Sequence, residues 1–418
     1  MAKSILFRGI GELATLRGAR QKSGRRPVEK DLGVLKKAAM IVTNGKISWI
    51  GTERQLSSAV RKHRGHGGAR GLREVQLGGA TVLPGFIDCH THLIFAGDRS
   101  AEFEMRMHGE TYQSIARKGG GILSTVRATR RASLKELVQQ GQTRVHRHLQ
   151  QGVTTVEVKS GYGLNMADEI KILQAVHRLR GIRTVATFLG PHALPPEFSS
   201  TQDYLDFVSA KMLPEIARRR LAQRVDIFIE RGYFSVAQGQ KYLEQAQALK
   251  LQLVAHAEQL SRSGTMRLLR QVPLQSVDHL VHLRASDCRA LARSQTTAVL
   301  LPASDFYLKI PYPPARQLLS SGARVALATD FNPGSCPSQD VSFVGVLARV
   351  EMKMSLAEVI NGLTVAAAFA LGLEDRVGCL QQGYFADFCV LEGEMSDLFY
   401  QVGQSPVKNT WIGGKKIC

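Results

Sequence analysis

An α/β fold of the (β/α)8 TIM-like type, with a small β-sandwich built from both ends of the chain, is what this sequence predicts. Two observations point to the barrel. Eight short apolar runs have the length and branched content of buried parallel strands: Thr81–Ile87, Thr154–Val158, Thr184–Phe188, Val225–Ile229, Leu251–Ala255, Ser276–His279, Ala298–Leu301 and Val325–Ala328. Amphipathic stretches of helical period separate most of them, among them Leu134–Gln151, Met166–Arg180 and Ser235–Ala248. That alternation suits strands closing into a barrel inside a ring of helices. An open doubly wound sheet for dinucleotides would carry a glycine fingerprint after a strand, and none follows these runs.

The third observation concerns the ends. Ser4–Phe7, Ala39–Thr43, Lys46–Ile50 and Glu74–Leu77 read as short strands, with Asn44-Gly45 as a tight hairpin turn between the middle two. Arg61–Gly71, basic and glycine-rich, reads as an exposed loop. Ala386–Leu391 and Thr410–Ile412, followed by Gly413-Gly414, resume the same texture. The predicted organisation is a composite β domain of residues 1–80 and 376–418, interrupted by a barrel over 81–375.

Composition narrows the function classes. With 418 residues, 44% hydrophobic and 22% charged, the chain suits a large globular domain plus a smaller one. It has no apolar run of membrane-spanning length, so no membrane partner is expected. The opening stretch is broken by Arg8 and lacks a small-residue cleavage site. Six cysteines without paired spacing fit a reducing compartment, so a cytoplasmic location is expected. The net charge of +20 is scattered and aromatics make up only 6%, so no nucleic-acid groove is expected. Such a field favours a small anionic substrate.

The chemistry starts at His90 and His92, in PGFIDCHTHLIFAGDR. Two imidazoles two residues apart on a strand point to one side. At a barrel mouth that side is a cavity where they can grip a divalent ion. Further polar residues mark later strand ends: Lys159, His192, Glu230, His256, His279 and Asp330. Barrel strands converge at their C-terminal ends, so these residues meet on one face. Each has a plainer reading too. His256 suits an apolar core, His282 competes with His279, and Asp330 precedes the turn Asn332-Pro333-Gly334. Their shared placement favours a mononuclear site of nitrogen and oxygen ligands.

PGFIDCHTHLIFAGDR, GGGILSTV, EVKSGYG, GPHALP, HAEQLS, DHL, LATDFNPGS and TVAAAFALGL together resemble the amidohydrolase superfamily over nearly the whole chain. SGYG, GPHALP and TDFNPGS in one chain resemble the branch that opens a cyclic amide in histidine degradation. The resemblance implies a metal-dependent hydrolase barrel that converts 4-imidazolone-5-propanoate to N-formimidoyl-L-glutamate. It implies one zinc or iron ion per subunit on His90, His92, His256 and Asp330, with His279 close by. Binuclear relatives carry a bridging lysine at strand four, and VDIFIERGYF has none, so one metal is expected.

In that scheme hydroxide on the metal is the nucleophile and Asp330 is the proton shuttle. His279 orients the water or holds the oxyanion, and His192 meets the carbonyl oxygen or a ring nitrogen. Arg99 is the expected partner of the propanoate arm, and Tyr162 stacks on the ring. Gln259 stands where some relatives carry glutamate, and as an amide it bonds the ring nitrogens without taking a proton. Asn332, Gly334 and Ser335 are expected to line the pocket wall and help hold the product's new carboxylate. The resemblance further implies a homodimer. The competing reading is another amidohydrolase, a different cyclic amide hydrolase or an aromatic-ring deaminase, using the same metal set.

Overall fold

A computed structural model of the chain describes residues 4–65, 72–110, 114–115 and 120–418. The barrel strands are Phe86–Asp88, Val153–Lys159, Arg183–Phe188, the short pair Arg224–Val225 and Phe228–Ile229, Gln252–Ala257, Leu274–His279, Thr297–Leu300 and Arg324–Leu327. Neighbours in this order pair in parallel. The ring closes between its first and last members. Asp330 N–H donates to His90 O at 3.1 Å, and His92 N–H donates to Phe331 O at 2.9 Å. The barrel is therefore sealed by backbone bonds of the residues that the sequence marks as metal ligands.

Helices Leu134–Gln150, Met166–Arg178 and Val236–Ala248 cover the strands, and each starts where its sequence says it should. Ser133, Asn165 and Ser235 accept from the third N–H of the helix that follows, which satisfies an otherwise orphaned donor. Leu137, Val145 and Leu149 line the buried side of the first of these helices at helical spacing.

The second sheet is mixed. Its strand order is Lys415–Lys416, Val407–Ile412, Phe388–Leu391, Thr81–Pro84, Ser4–Ala14, Val34–Thr43 and Lys46–Thr52, with Arg73–Gln76 paired to Ser4–Ala14. Both ends of the chain supply strands, as their texture indicates. The expected sandwich is one sheet curled until its wings face: the Phe7 ring meets Phe388 at 5.1 Å and Trp411 at 5.0 Å, edge to face. Asn44 and Gly45 take φ of 52° and 79°, the left-handed pair that a two-residue hairpin needs.

Two readings are corrected. Thr81–Ile87 is not one strand: Thr81–Pro84 pairs within the small sheet and Phe86–Asp88 opens the barrel. The chain changes sheet at Gly85, where a Cβ would lie 2.2 Å from Thr154 Cγ2, so only glycine passes. Arg61–Gly65 is not loop but the end of helix Glu53–Gly65, extended because Leu56, Ala59 and Val60 pack on Leu6 and Ile41. Residues 66–71 lie outside the described residues. No helix among the described residues is long and apolar enough to cross a membrane.

Candidate active site

The strand ends bring the histidines together. Ligand-type atoms of His90, His92 and His256 lie within 4.8 Å of one another, and so do those of His90, His279 and Asp330. Asp330 Oδ1 is 3.4 Å from His90 Nε2 and 3.7 Å from His92 Nε2. His279 and Asp330 sit at φ of 79° and 54°, a left-handed backbone that residues with a Cβ adopt at a cost of about 1–3 kcal/mol. The two lie at the ends of strands separated by Thr297–Leu300, and both side chains reach the cluster. Burial pushes His90, His92 and His279 well below the ordinary histidine range, so the imidazoles are neutral and carry lone pairs. Burial likewise raises the Asp330 carboxyl to about 6.

These residues fit a metal. His90 gives Nδ1 to Asp278 Oδ2 at 2.7 Å, while its fully buried Nε2 has no hydrogen-bond partner. His256 Nδ1 lies 3.0 Å from Asp226 Oδ2. A carboxylate on one ring nitrogen fixes the tautomer and aims the other nitrogen, the usual support of a metal-binding histidine. Buried nitrogens with lone pairs and no donor to meet them, beside a carboxylate, are the donor set of a divalent ion.

Behind the cluster lies a layer of charge. Lys159 Nζ is 2.7 Å from Asp226 Oδ2, 3.0 Å from Glu157 Oε2 and 3.5 Å from Asp278 Oδ2, and Arg224 Nη1 is 3.5 Å from Glu157 Oε1. All five side chains are buried in the barrel. Burial alone would lower Lys159, but Asp226, Glu157 and Asp278 outweigh it and hold the ammonium above its usual range. Asp226, nearer the lysine, stays well below the ordinary carboxylate range despite its burial, whereas burial pushes Asp278 up. Lys159 therefore supports the histidines from behind, through Asp226 and Asp278, and is not among the residues that line the cavity.

A small cavity of about 50 Å³ opens beside the cluster, and His92, His256, His279 and Asp330 line it. Arg99, Tyr162, His192, Gln259, Asn332 and Ser335 form the rest of its polar lining. His192 stacks on His92 with ring centroids 5.2 Å apart, and its Nδ1 bonds Gly161 O at 2.9 Å. Burial lowers its pKa to about 4. Tyr162 sits 5.4 Å from the His192 ring. The SGYG turn is held by buried Glu169, which accepts from the N–H groups of Gly161, Gly163 and Leu164.

After strand eight, the Asn332 side chain is occupied by its own loop. Its Oδ1 accepts from Gly334 N–H and Ser335 N–H, and its Nδ2 donates to Asp330 O and Ser335 Oγ. Gly334 is absent from the cavity lining and instead makes room for Arg99. Glu230 accepts from Leu260 and Ser261 N–H and so anchors the loop after strand five.

Sequence reasoning missed Asp226, Asp278 and Glu157. The first two lie in VDIFIE and SVDHLVH, where a carboxylate inside a strand run was the available signal.

Residues 81–417 match the family described as amidohydrolase, and the chain belongs to the amidohydrolase family. By that membership it is a hydrolase, and the family and the His/Asp cluster both point to a bound metal ion. It is 50% identical over 413 residues to the imidazolonepropionase of Bdellovibrio bacteriovorus, covering 99% of this chain and 96% of that protein. To the imidazolonepropionase of Symbiobacterium thermophilum it is 41% identical over 393 residues, covering 93% and 90%. Among solved structures, an adenosine deaminase from Xanthomonas campestris with bound zinc superposes with a TM-score of 0.72 at 18% identity, covering 99% and 92%. The guanine deaminase of E. coli gives 0.73 at 16% identity, covering 99% of both chains. These two share the fold.

Proposed function

We propose that this chain hydrolyses 4-imidazolone-5-propanoate to N-formimidoyl-L-glutamate in histidine degradation. The observation that carries the reading is 50% identity over almost the full length of an imidazolonepropionase. The pocket agrees with it, since Arg99 lies in the same small cavity as the His/Asp cluster, where an acid arm and a ring carbonyl can be held together.

His90, His92, His256 and Asp330 would hold one zinc or iron ion per subunit, with His279 beside them. Such an ion makes water a nucleophile near neutral pH and polarises a carbonyl. Asp330 takes the proton of the attacking water and returns it to the ring nitrogen as the C–N bond breaks. His279, on the cavity wall, orients the water or holds the developing oxyanion. His192 donates through Nδ1 to Gly161 O, so in its neutral ring Nε2 is an acceptor. That favours contact with a substrate ring N–H over donation to the carbonyl oxygen. Tyr162 stacks on the ring and Gln259 bonds its nitrogens. Arg99 takes the propanoate, and Ser335 with the Asn332 turn meets the new carboxylate. The same reading places the enzyme in the cytoplasm as a homodimer, acting on a small anion rather than on nucleic acid.

The test is loss of ultraviolet absorbance from freshly made imidazolonepropanoate, with and without a chelator. Metal-dependent loss is expected. No turnover by metal-loaded protein, or ammonia released from an aminated ring instead, overturns the reading.

A further inference from the structure

Arg99 does not stand alone in the pocket wall. Its Nε and Nη2 both lie 2.7 Å from Glu102 Oε2, three residues on in helix Ser100–Met107. The other oxygen, Glu102 Oε1, accepts from Gly121 N–H at 3.0 Å. Gly121 precedes Ile122, which lines the cavity. On the opposite side the guanidinium lies against Gly334, where a Cβ would come within 1.8 Å of Nη1. The side chains of Arg99 and Glu102 are 6% and 12% exposed, so this pair is largely shielded from water and salt.

We propose that Glu102 is a positioning residue for the substrate's acid arm: it locks the Arg99 guanidinium in one orientation, between Gly334 and the Gly121–Ile122 wall, before substrate arrives. The inference rests on the reading of Arg99 as the carboxylate anchor. A free arginine side chain loses much rotamer freedom when it grips a ligand, and a residue that has already ordered it removes that cost from binding. Glu102 takes up Nε and Nη2 of the fork, and Arg99 lines the cavity in which a carboxylate would be held. The acid arm is thereby held at a set distance from the His/Asp cluster, which makes Glu102 a determinant of arm length.

The test is a double-mutant cycle on the metal-loaded enzyme with Glu102→Ala, Arg99→Ala and the pair. Glu102→Ala should raise KM for imidazolonepropanoate by about 3- to 10-fold, the scale of one newly mobile side chain, with the loss falling on KM rather than kcat. Glu102→Gln, which keeps an acceptor oxygen, should recover part of that loss. In the Arg99→Ala background, Glu102→Ala should add little to KM, because its hold on the acid arm passes through Arg99. Calorimetric binding of glutarate, a short dicarboxylate, reads the same grip without turnover. Failure of the wild type to turn over imidazolonepropanoate counts against the proposed reaction, whereas the glutarate cycle still decides the role of Glu102. Effects of Glu102→Ala and Arg99→Ala that simply add, or unchanged glutarate binding in Glu102→Ala, overturn the inference.

Discussion

Gly334 and Arg99 are packed so closely that, with the guanidinium where it stands, a Cβ at 334 would lie 1.8 Å from Nη1 and 2.5 Å from Cζ of the arginine. The glycine in TDFNPGS thus serves a guanidinium far away in sequence. Gly334→Ala should displace Arg99 and raise KM in the manner of Arg99→Ala itself. For Arg99→Ala the expected loss in kcat/KM is about 2–3 kcal/mol, the range of a charge-assisted bond in a shielded pocket. Steady-state kinetics of the two variants check this, and a Gly334→Ala enzyme with wild-type KM would show that the arginine has room to move without consequence.

Asp330→Asn keeps the size of the side chain and removes its basicity. With metal content matched to the wild type, kcat should fall by about 10²-fold or more, the scale of lost proton transfer. The far-ultraviolet dichroism should not change. Near-full activity would remove Asp330 from the proton path.

Lys159→Met should be costly to the fold. It leaves Glu157, Asp226 and Asp278 buried with Arg224 as their remaining cation. Breaking a buried ionic network from one side typically costs about 3–5 kcal/mol. A urea midpoint equal to that of the wild type would mean that the lysine does not balance these carboxylates.

His192 provides a pH test. Burial lowers it to about 4, against 6.5 for an ordinary histidine. Below pH 6.5 the unfolded chain therefore takes up a proton that the folded protein refuses, and this group's contribution to stability is lost as pH falls from 6.5 toward 4. Above 6.5 the contribution is fully present. Metal-free His192→Gln should accordingly gain on the metal-free wild type between pH 7.5 and pH 5 in urea unfolding. A constant difference across that interval would show that His192 titrates normally.

The His/Asp cluster was legible in the sequence because its signals are local. His90 and His92 stand two residues apart just past the strand Phe86–Asp88, and His256, His279 and Asp330 each end an apolar run. The partners of those residues were not legible. Asp278 meets His90 across the barrel interior, and Asp226 meets His256 from the strand pair beside it, so both contacts exist only once the barrel has formed. Nothing within VDIFIE names the histidine that its aspartate will meet. The sheet switch at Gly85 was hidden for a related reason: Thr81–Ile87 is apolar throughout, and only pairing partners from elsewhere divide it. The helix after Glu53 was under-read because its basic, glycine-bearing end masked the apolar face carried by Leu56, Ala59 and Val60.

Thr81–Pro84 lies between Ser4–Ala14 on one side and Phe388–Leu391 on the other. One of its neighbours is made before it, and the other only after the whole barrel has left the ribosome. At about 5–20 residues per second of synthesis, that edge waits on the order of 15–60 s for its partner. During the interval it is an open row of unpaired backbone groups on a nascent chain, the kind of surface that recruits wrong partners. Yield in the cell is then set by how well that edge is shielded during translation. A circular permutant that joins the two tails and opens in a barrel loop would make both neighbours in one stretch and remove the wait.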